Sequence, residues 1–352
     1  MIPPVPLASG MRRVARAYII DHDTGVESQV GLLSASVEVD AGSDCRRVVS
    51  AQLVDVDPRL LTPPHRLRVE AGYVWGGVEY VAPVHVRIGK VARTNQRVWS
   101  LSDCRSFEAI VKGDRFVEPR RLEGGASIVE TIRALILEAV PWARVEATCT
   151  YDASIPRGGI VAAEDRWGTI VGRDESLATA ISADVYCDGA GTFRITDVPT
   201  IETPGWDATR CTESWSRGLD GSTVVNSWVA HSDNPDVSPV RGIAEDIDPF
   251  SPTRISRWGR VTKFHASPLY SSDEQCARGA RTLLSKTRGV TRELSIETVP
   301  NWWADVTEPV QVETDLGVES HLVDRVTVRV EADPQSDAVA MQLRSRLVGV
   351  SA

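Results

Sequence analysis

The chain has 352 residues, 42% of them hydrophobic and 25% charged, with 39 basic against 48 acidic side chains and a formal net charge of −9. That length exceeds one ordinary core and predicts roughly two to four domains, in a chain whose composition is that of a folded protein. The acidic balance is the wrong sign for a tight nucleic-acid binder, and no apolar run approaches the ~20 residues of a membrane span.

The first stretch places Pro3, Pro4 and Pro6 where a secretory signal needs its apolar core, and Arg12 and Arg13 after it. This is not a signal sequence, which predicts synthesis in a cytoplasm. From there to about Lys112 the pattern is of strands. Leu33, Ala35, Val37 and Val39 alternate with polar residues, as do Leu67, Val69 and Ala71, and then Val84, Val86 and Ile88. Period-two alternation puts one face on a core and the other in solvent. In "AGYVWGGVEYVAP", Gly76-Gly77 supplies the positive φ angles of a tight hairpin turn. Short antiparallel strands with close turns favour a sandwich or small barrel.

The pattern changes at "GGASIVETIRALILEAVPW". Ser127 and Glu130 form a capping box, Ile128, Ile132, Leu135, Ile136 and Ala139 recur at helical spacing, and Pro141 ends the run. A second helix is predicted over Ser176 to Ala183, leading into a hairpin that turns at Asp188 to Gly191. This middle segment reads as α+β.

Strand character returns over Ser222 to Ser232, and a proline-broken stretch that reads as loop follows. A helix then begins after Ser272, with Gln275 at the capping-box position, a stripe of Cys276, Ala277, Ala280, Leu283 and Leu284, and Gly289 as its stop. Strands resume to the end, through Leu294, Ile296 and Thr298, then Val310, Val312 and Thr314, then Val326, Val328 and Val330, and last Met341 and Leu343. The late helix is most simply an insertion. The strand near Val224 to Ala230 is expected to pair with the C-terminal strands, with the excursion between them packing elsewhere.

No residue constellation carries catalysis, and no catalytic, cofactor-binding or metal-binding residue is assigned. Asp21 to Gly25, "DHDTG", lacks the later ligands of a calcium loop and reads as a turn. His22, His65, His85, His231, His265 and His321 are scattered and read as surface histidines. Cys45, Cys104, Cys149, Cys187, Cys211 and Cys276 form no C-x-x-C pair and read as small buried side chains. There is no G-x-S-x-G elbow, dinucleotide fingerprint or P-loop. Two glycosidase carboxylates cannot be picked out of 48 acids by sequence. The adjacent Trp302 and Trp303 read as core or interface residues ahead of a sugar platform.

The order of elements resembles the hub proteins at the tip of phage tails, in particular minor tail proteins of siphophages that infect actinobacteria. "RLRVEAGYVWGGVEYVAPVHVRIGKV" is similar to a hairpin of the family's first barrel, although Pro83-Val84-His85 stands where proline, leucine and glycine are usual. "DESLATAISADVYCDGAGTFRITDVP" resembles its helix and hairpin, and "VVNSWVAHS" its returning strand. "SRWGRVTKFHASPLYSSDEQCARGARTLL" resembles the end of its inserted part, and "VPNWWADVTEPVQVE" its final strand pair, with Glu308 in place of a frequent glycine.

The resemblance implies a mainly β fold with an α+β insertion. Residues 1–112 would form a first small antiparallel β-barrel and 113–221 a middle α+β domain. Residues 222–232 with 292–352 would form a second, split barrel, and 233–291 an insertion packing with the middle domain. It implies a structural hub, not an enzyme, without cofactor. The expected form is a homotrimer at the virion's tail tip, joining a sixfold tube to a threefold tip. Its expected partners are the distal tail protein ring, the tape-measure protein and tip or fibre proteins, with genomic DNA only in transit. Family members with lysin activity carry it on further C-terminal domains, and the chain ends at Ala352 without room for one. Three other classes stay open: the distal tail ring protein, with one barrel and a peripheral module; a virion glycan-binding or glycan-degrading protein; and an unrelated cellular β protein.

Overall fold

The structure, a computed structural model, describes residues 12–350 except 63, 163, 172–175, 199–204, 210–211, 221–223, 250, 288–290, 299–300, 316 and 332–340. It is mainly β. The first seven strands are β1 (Arg12–Ile20), β2 (Glu27–Asp40), β3 (Arg47–Val54), β4 (Arg66–Trp75), β5 (Val78–Arg87), β6 (Lys90–Arg93) and β7 (Val98–Arg105). They form a ladder that returns on itself. β1 pairs with β4, β4 with β5, β5 with β7 at Arg87–Arg105, β7 with β3, β3 with β2, and β2 with β1 again. The closure between β5 and β7 is made at that one residue pair, so the rest of β5's second edge is not paired in the ladder. Its inward residues follow the alternation in the sequence: Val37 and Val39, Leu67 and Val69, and Val86 are all buried. Leu33 breaks the series and is exposed, because a register shift between Leu32 and Ser34 turns Leu32 inward instead. Gly76 and Gly77 have φ of +58° and +80° at the β4–β5 turn, as the sequence requires.

The middle of the chain packs helices over small sheets. It holds α1 (Glu108–Gly113), β8 (Arg120–Leu122), α2 (Ile128–Ala139), β9 (Arg144–Ala147), β10 (Ile160–Ala162), α3 (Arg166–Ile170), α4 (Leu177–Ala180), β11 (Ala183–Cys187) and β12 (Thr192–Asp197). Ser127 caps α2, its hydroxyl accepting from the Glu130 amide at 3.1 Å. Ile128, Ile132, Leu135 and Ile136 are fully buried in a core shared with Phe193, Ile195 and Trp167. The second predicted helix is shorter than expected. It ends at Ala180, because Ser182 takes a φ of +56° and β11 starts at Ala183.

Two further strands follow, β13 (Trp206–Asp207) and β14 (Thr212–Asp220). Next come β15 (Ser227–His231), β16 (Arg241–Glu245), α5 (Ile255–Trp258), β17 (Thr262–Ala266) and α6 (Asp273–Thr287). The chain ends with β18 (Thr291–Thr298), β19 (Pro309–Thr314), β20 (Gly317–Glu331) and β21 (Met341–Val350). The C-terminal strands extend the first ladder through β2–β20, and then run β20-β21-β18-β14.

Here the structure corrects the expected pairing. The strand around Val224 to Ala230 does not join the C-terminal strands. β15 is the centre of a separate three-stranded sheet, antiparallel to β16 and parallel to β17. The strand that pairs with β18 is β14, antiparallel from Thr212–Thr298 to Asp220–Thr291. The physical reason lies in burial. Ser227, Trp228, Val229 and Ala230 are all buried, so β15 needs neighbours on both edges and a cover on one face. β14 leaves Ser214, Trp215 and Ser216 exposed, and "TESWSRGLD" carries no clean alternation to announce a strand.

The late helix α6 supplies β15's cover. Cys276, Ala280 and Leu283 share a core with Trp228, Ala230 and Ala244. Gly242 makes this approach possible: a Cβ there would lie 2.1 Å from the Ala277 nitrogen. Ser272 caps α6 as expected, accepting from the Gln275 amide at 3.2 Å, while Gly289 lies outside the described residues. The excursion carrying β15 to α6 therefore leaves the large sheet after β14 and returns at β18. It touches the middle segment through Leu269, which is buried in that core, and through Gln275, whose amide reaches the Ala180 carbonyl at 3.4 Å.

Candidate functional site

Arg46 precedes β3 and Arg47 opens it, and both are buried. A buried guanidinium costs several kcal/mol of desolvation unless it is paired and hydrogen-bonded, so the partners of Arg46 and Arg47 define the place. Arg46 donates to Asp184 on β11 at 3.1 Å, to the Val306 carbonyl at 2.7 Å and to the Thr307 hydroxyl at 2.9 Å. Its guanidinium lies 3.7 Å from the ring centre of Tyr186, a cation–π contact. Arg47 donates to the Cys187 carbonyl and to Asp305. Asp305 also stands 3.5 Å from Arg46. The first ladder, the β11–β12 hairpin and the loop before β19 are thus pinned at one point.

The charges are unequal in their comfort. Burial alone would push the Asp305 carboxyl up, but Arg47 and Arg46 hold it below the usual carboxylate range. Glu108, buried at the start of α1, is raised by burial; its Oε1 accepts from the Cys187 amide at 2.9 Å and its Oε2 has no hydrogen-bond partner among the described residues. For an acid raised in the folded state, the unfolded chain releases its proton first. Native stability therefore falls as pH rises from the unfolded value of about 4.3 through the raised folded value, and stays lowered above it. Glu108→Gln is expected to flatten that fall, read as denaturation midpoints across a pH series. An unchanged profile would show that Glu108 is not the group responsible.

Beside the ion cluster lies a cavity of about 230 Å³, lined by Val37, Val69, Val84, Val328, Trp302 and Trp303. Tyr73 meets the two indoles with ring centres 6.2 and 5.8 Å away. Arg47 and Asp305, already paired with each other, reach its edge. Burial pushes the nearby Cys45 thiol up to about 11, and Cys187 is also raised by burial. The cavity suits an apolar group better than it suits proton transfer or nucleophilic attack.

Asp21 closes a turn, its Oδ1 accepting from the Asp23 and Thr24 amides at 3.0 and 2.8 Å. Cys45, Cys104, Cys187 and Cys276 are buried and free, Cys149 is half-buried, and Cys211 lies outside the described residues. The surface reading of the histidines fails for two of them: His265 and His321 are buried. His265 packs edge-on to Tyr270, and His321 faces Glu319 at 3.3 Å. His85 is held near 4 chiefly by burial, then by Arg68 and Arg66. The junction itself was not foreseen. Its one sequence signal is the adjacent pair Arg46-Arg47 at the head of an alternating strand, where a surface register would expose one of them. Among the described residues no group of three His, Cys, Asp or Glu side chains could hold a metal ion, and no helix is long and apolar enough to cross a membrane.

No protein-family model matches the sequence, and no curated protein matches it. Solved structures do match the fold. The tail protein from Neisseria meningitidis MC58 superposes with a TM-score of 0.61 at 13% identity, covering 94% of this chain and 96% of that one. The prophage tail protein gp18 from Listeria monocytogenes gives 0.58 at 10%, covering 96% and 95%. The 43 kDa tail protein of prophage MuSo2 from Shewanella oneidensis gives 0.57 at 11%, covering 95% and 98%. At these identities the likeness is one of fold, and it runs end to end.

Proposed function

We propose that this chain is a structural hub of a phage tail tip, a minor tail protein whose ring joins the sixfold tube to a threefold tip. The observation that carries the reading is the end-to-end match to three tail proteins, each covered over 95–98% of its length, so the shared fold is the whole molecule and not one module. A type VI secretion component from E. coli, described as similar to the T4 tail proteins gp27 and gp5, shares the fold at a TM-score of 0.52 and 10% identity, covering 95% of this chain and 77% of that one.

In this reading the closed ladder of β1 to β7 is the first barrel. β14 with β18 to β21 belongs to the second, which is interrupted by the excursion from β15 to α6. The middle α+β unit runs from α1 to β12. Three copies would place six such β units around a passage for DNA and the tape-measure protein, next to the distal tail ring and tip or fibre proteins. The chain would be made in the host cytoplasm and reside in the virion tail tip, acting as scaffold and not as enzyme. An actinobacterial siphophage is the proposed source.

The test is the copy number and position of the chain in tails, by density maps of intact virions. Three copies at the tip, adjoining a ring of different subunits, are expected. A sixfold ring of this chain would move it to the distal tail class, and its absence from the tail would end the proposal.

A further inference from the structure

The three-stranded sheet β16-β15-β17 is covered by α6 on one face only. On the other, Ile243, Val229 and Phe264 stand in one cross-strand row. Val229 is buried between its neighbours, while Ile243 is 53% and Phe264 68% exposed. Beyond the Ser227 end of the sheet, Ile247, Trp258 and Val261 are also exposed, at 74, 45 and 40%. Five large apolar side chains open to solvent on one small unit are more than scattered surface residues, and such a patch with a polar rim marks an interaction surface.

The rim tells what fits it. At the Ser227 end, Arg257 is exposed and in no ion pair among the described residues, and Arg260 is 60% exposed although it meets Glu245 at 2.9 Å. At and beyond the Ser227 end, the segment 245–263 holds Arg254, Arg257, Arg260 and Lys263 against Glu245, Asp246 and Asp248, and Asp246 is buried against Ser251 and Thr253, whereas Arg241 lies at the other end of β16, opposite His231. This is a positive surface on a chain of net charge −9.

The opposite end of the same sheet has the opposite character. There, a cleft is lined by Val161, Pro235 and Pro268 with Asp165, Asp233 and Asp236. Val161 is 68% exposed, and Asp233 and Asp236 are exposed and in no ion pair among the described residues. β15 spans five residues at about 3.3 Å each, so the basic apolar end and the acidic apolar end stand roughly 15 Å apart. They cannot satisfy each other within one chain.

We propose that the occupant of the basic apolar end is the acidic cleft of a second copy, a head-to-tail contact through the inserted sheet. A heterologous contact of this kind generates a ring when its rotation closes and a filament when it does not. The inference rests on the ring reading above but names a surface which that reading does not supply. Charge complementarity steers and registers the contact, and Ile247, Trp258, Val261 and Phe264 provide its apolar area.

The experiment is charge reversal with rescue on the full chain, read by sedimentation across a range of concentration and salt. Arg257→Glu with Arg260→Glu should weaken self-association by about tenfold or more, as should Asp233→Arg with Asp236→Arg. All four substitutions together should restore it, since both ends are then reversed. Phe264→Ser should weaken association without changing its salt dependence. Circular dichroism spectra matching the unsubstituted chain exclude misfolding as the cause. Self-association unmoved by either reversal, not restored by the fourfold variant, or absent from the unsubstituted chain overturns the proposal. Copies found at tail tips with an unresponsive contact would sink this surface alone. Charge-dependent self-association in a chain absent from tails would sink the hub reading alone.

Discussion

Asp305→Ala is expected to destabilise the chain by about 3–5 kcal/mol, the cost of leaving buried guanidinium groups without their counter-charge. Arg47 and Arg46 both face Asp305, and both arginines are buried, so water cannot replace the carboxylate cheaply. The three segments pinned there should loosen together, and Trp302 and Trp303, three and two residues upstream, report it directly by fluorescence in a denaturant titration. The pH dependence has a defined sign. Burial opposes ionisation of Asp305 but the two arginines outweigh it, and its carboxyl is lowered. Its contribution is therefore complete above the unfolded value of about 3.9 and is lost as pH falls through the lower folded value. The gap between the two chains should be widest near neutral pH and narrow only in strong acid. Arg47→Met with Asp305→Leu should recover much of the loss, because an apolar pair of similar size avoids both desolvation penalties. A cost under about 1 kcal/mol for Asp305→Ala, typical of an exposed pair, would show that the junction is solvated and does not hold the units together.

How much of this was legible follows from where each element gets its order. The first strands announce themselves because one face is core and the other solvent, as with Leu67, Val69 and Ala71 on β4. α2 and α6 are equally plain, since Ser127 and Ser272 cap them and their apolar stripes meet a single core. β16 was hidden in the proline-broken stretch that reads as loop, and β17 follows that stretch without having been predicted. Their outer face, with Ile243 and Phe264, is apolar and exposed, so the alternation that marks a half-buried strand is missing. β14 was hidden for the opposite reason, being polar and open along Ser214 to Ser216. The choice between β14 and β15 as partner of β18 is a long-range pairing, and nothing local encodes it. The Arg46–Asp305 junction is the same kind of fact: its members are 259 positions apart in number (305 − 46), and only the fold unites them.

Asn226→Ala should cost about 3 kcal/mol or more, since each buried polar group left unsatisfied costs roughly 1–3 kcal/mol. Asn226 is fully buried at the entrance to β15. Its side-chain amide donates to the Thr253 carbonyl at 2.8 Å and the Gly259 carbonyl at 2.6 Å, and its side-chain oxygen accepts from the Val261 amide at 2.7 Å. Its backbone carbonyl takes the Asp246 amide at 2.9 Å. One side chain thus fixes the two crossings of the loop that carries Ile247, Arg257, Trp258 and Arg260. Alanine removes three hydrogen bonds and gives water no route to the groups it abandons. The loop should exchange its amide hydrogens faster at Val261 and across α5, while Cys276 to Leu283 of α6, packed on the other face of the sheet, keep their protection. Asn226→Asp is the sharper variant: it retains the acceptor for Val261 and turns both donor positions into a carboxylate facing two carbonyl oxygens. It should be at least as damaging as alanine, with its harm easing in acid as the carboxylate takes up a proton. If Asn226→Ala instead left both loop exchange and self-association unchanged, the basic apolar end would be ordered by something other than Asn226. If exchange rose while association held, the surface would not need the loop's fixed geometry, and the head-to-tail contact would lose its structural basis.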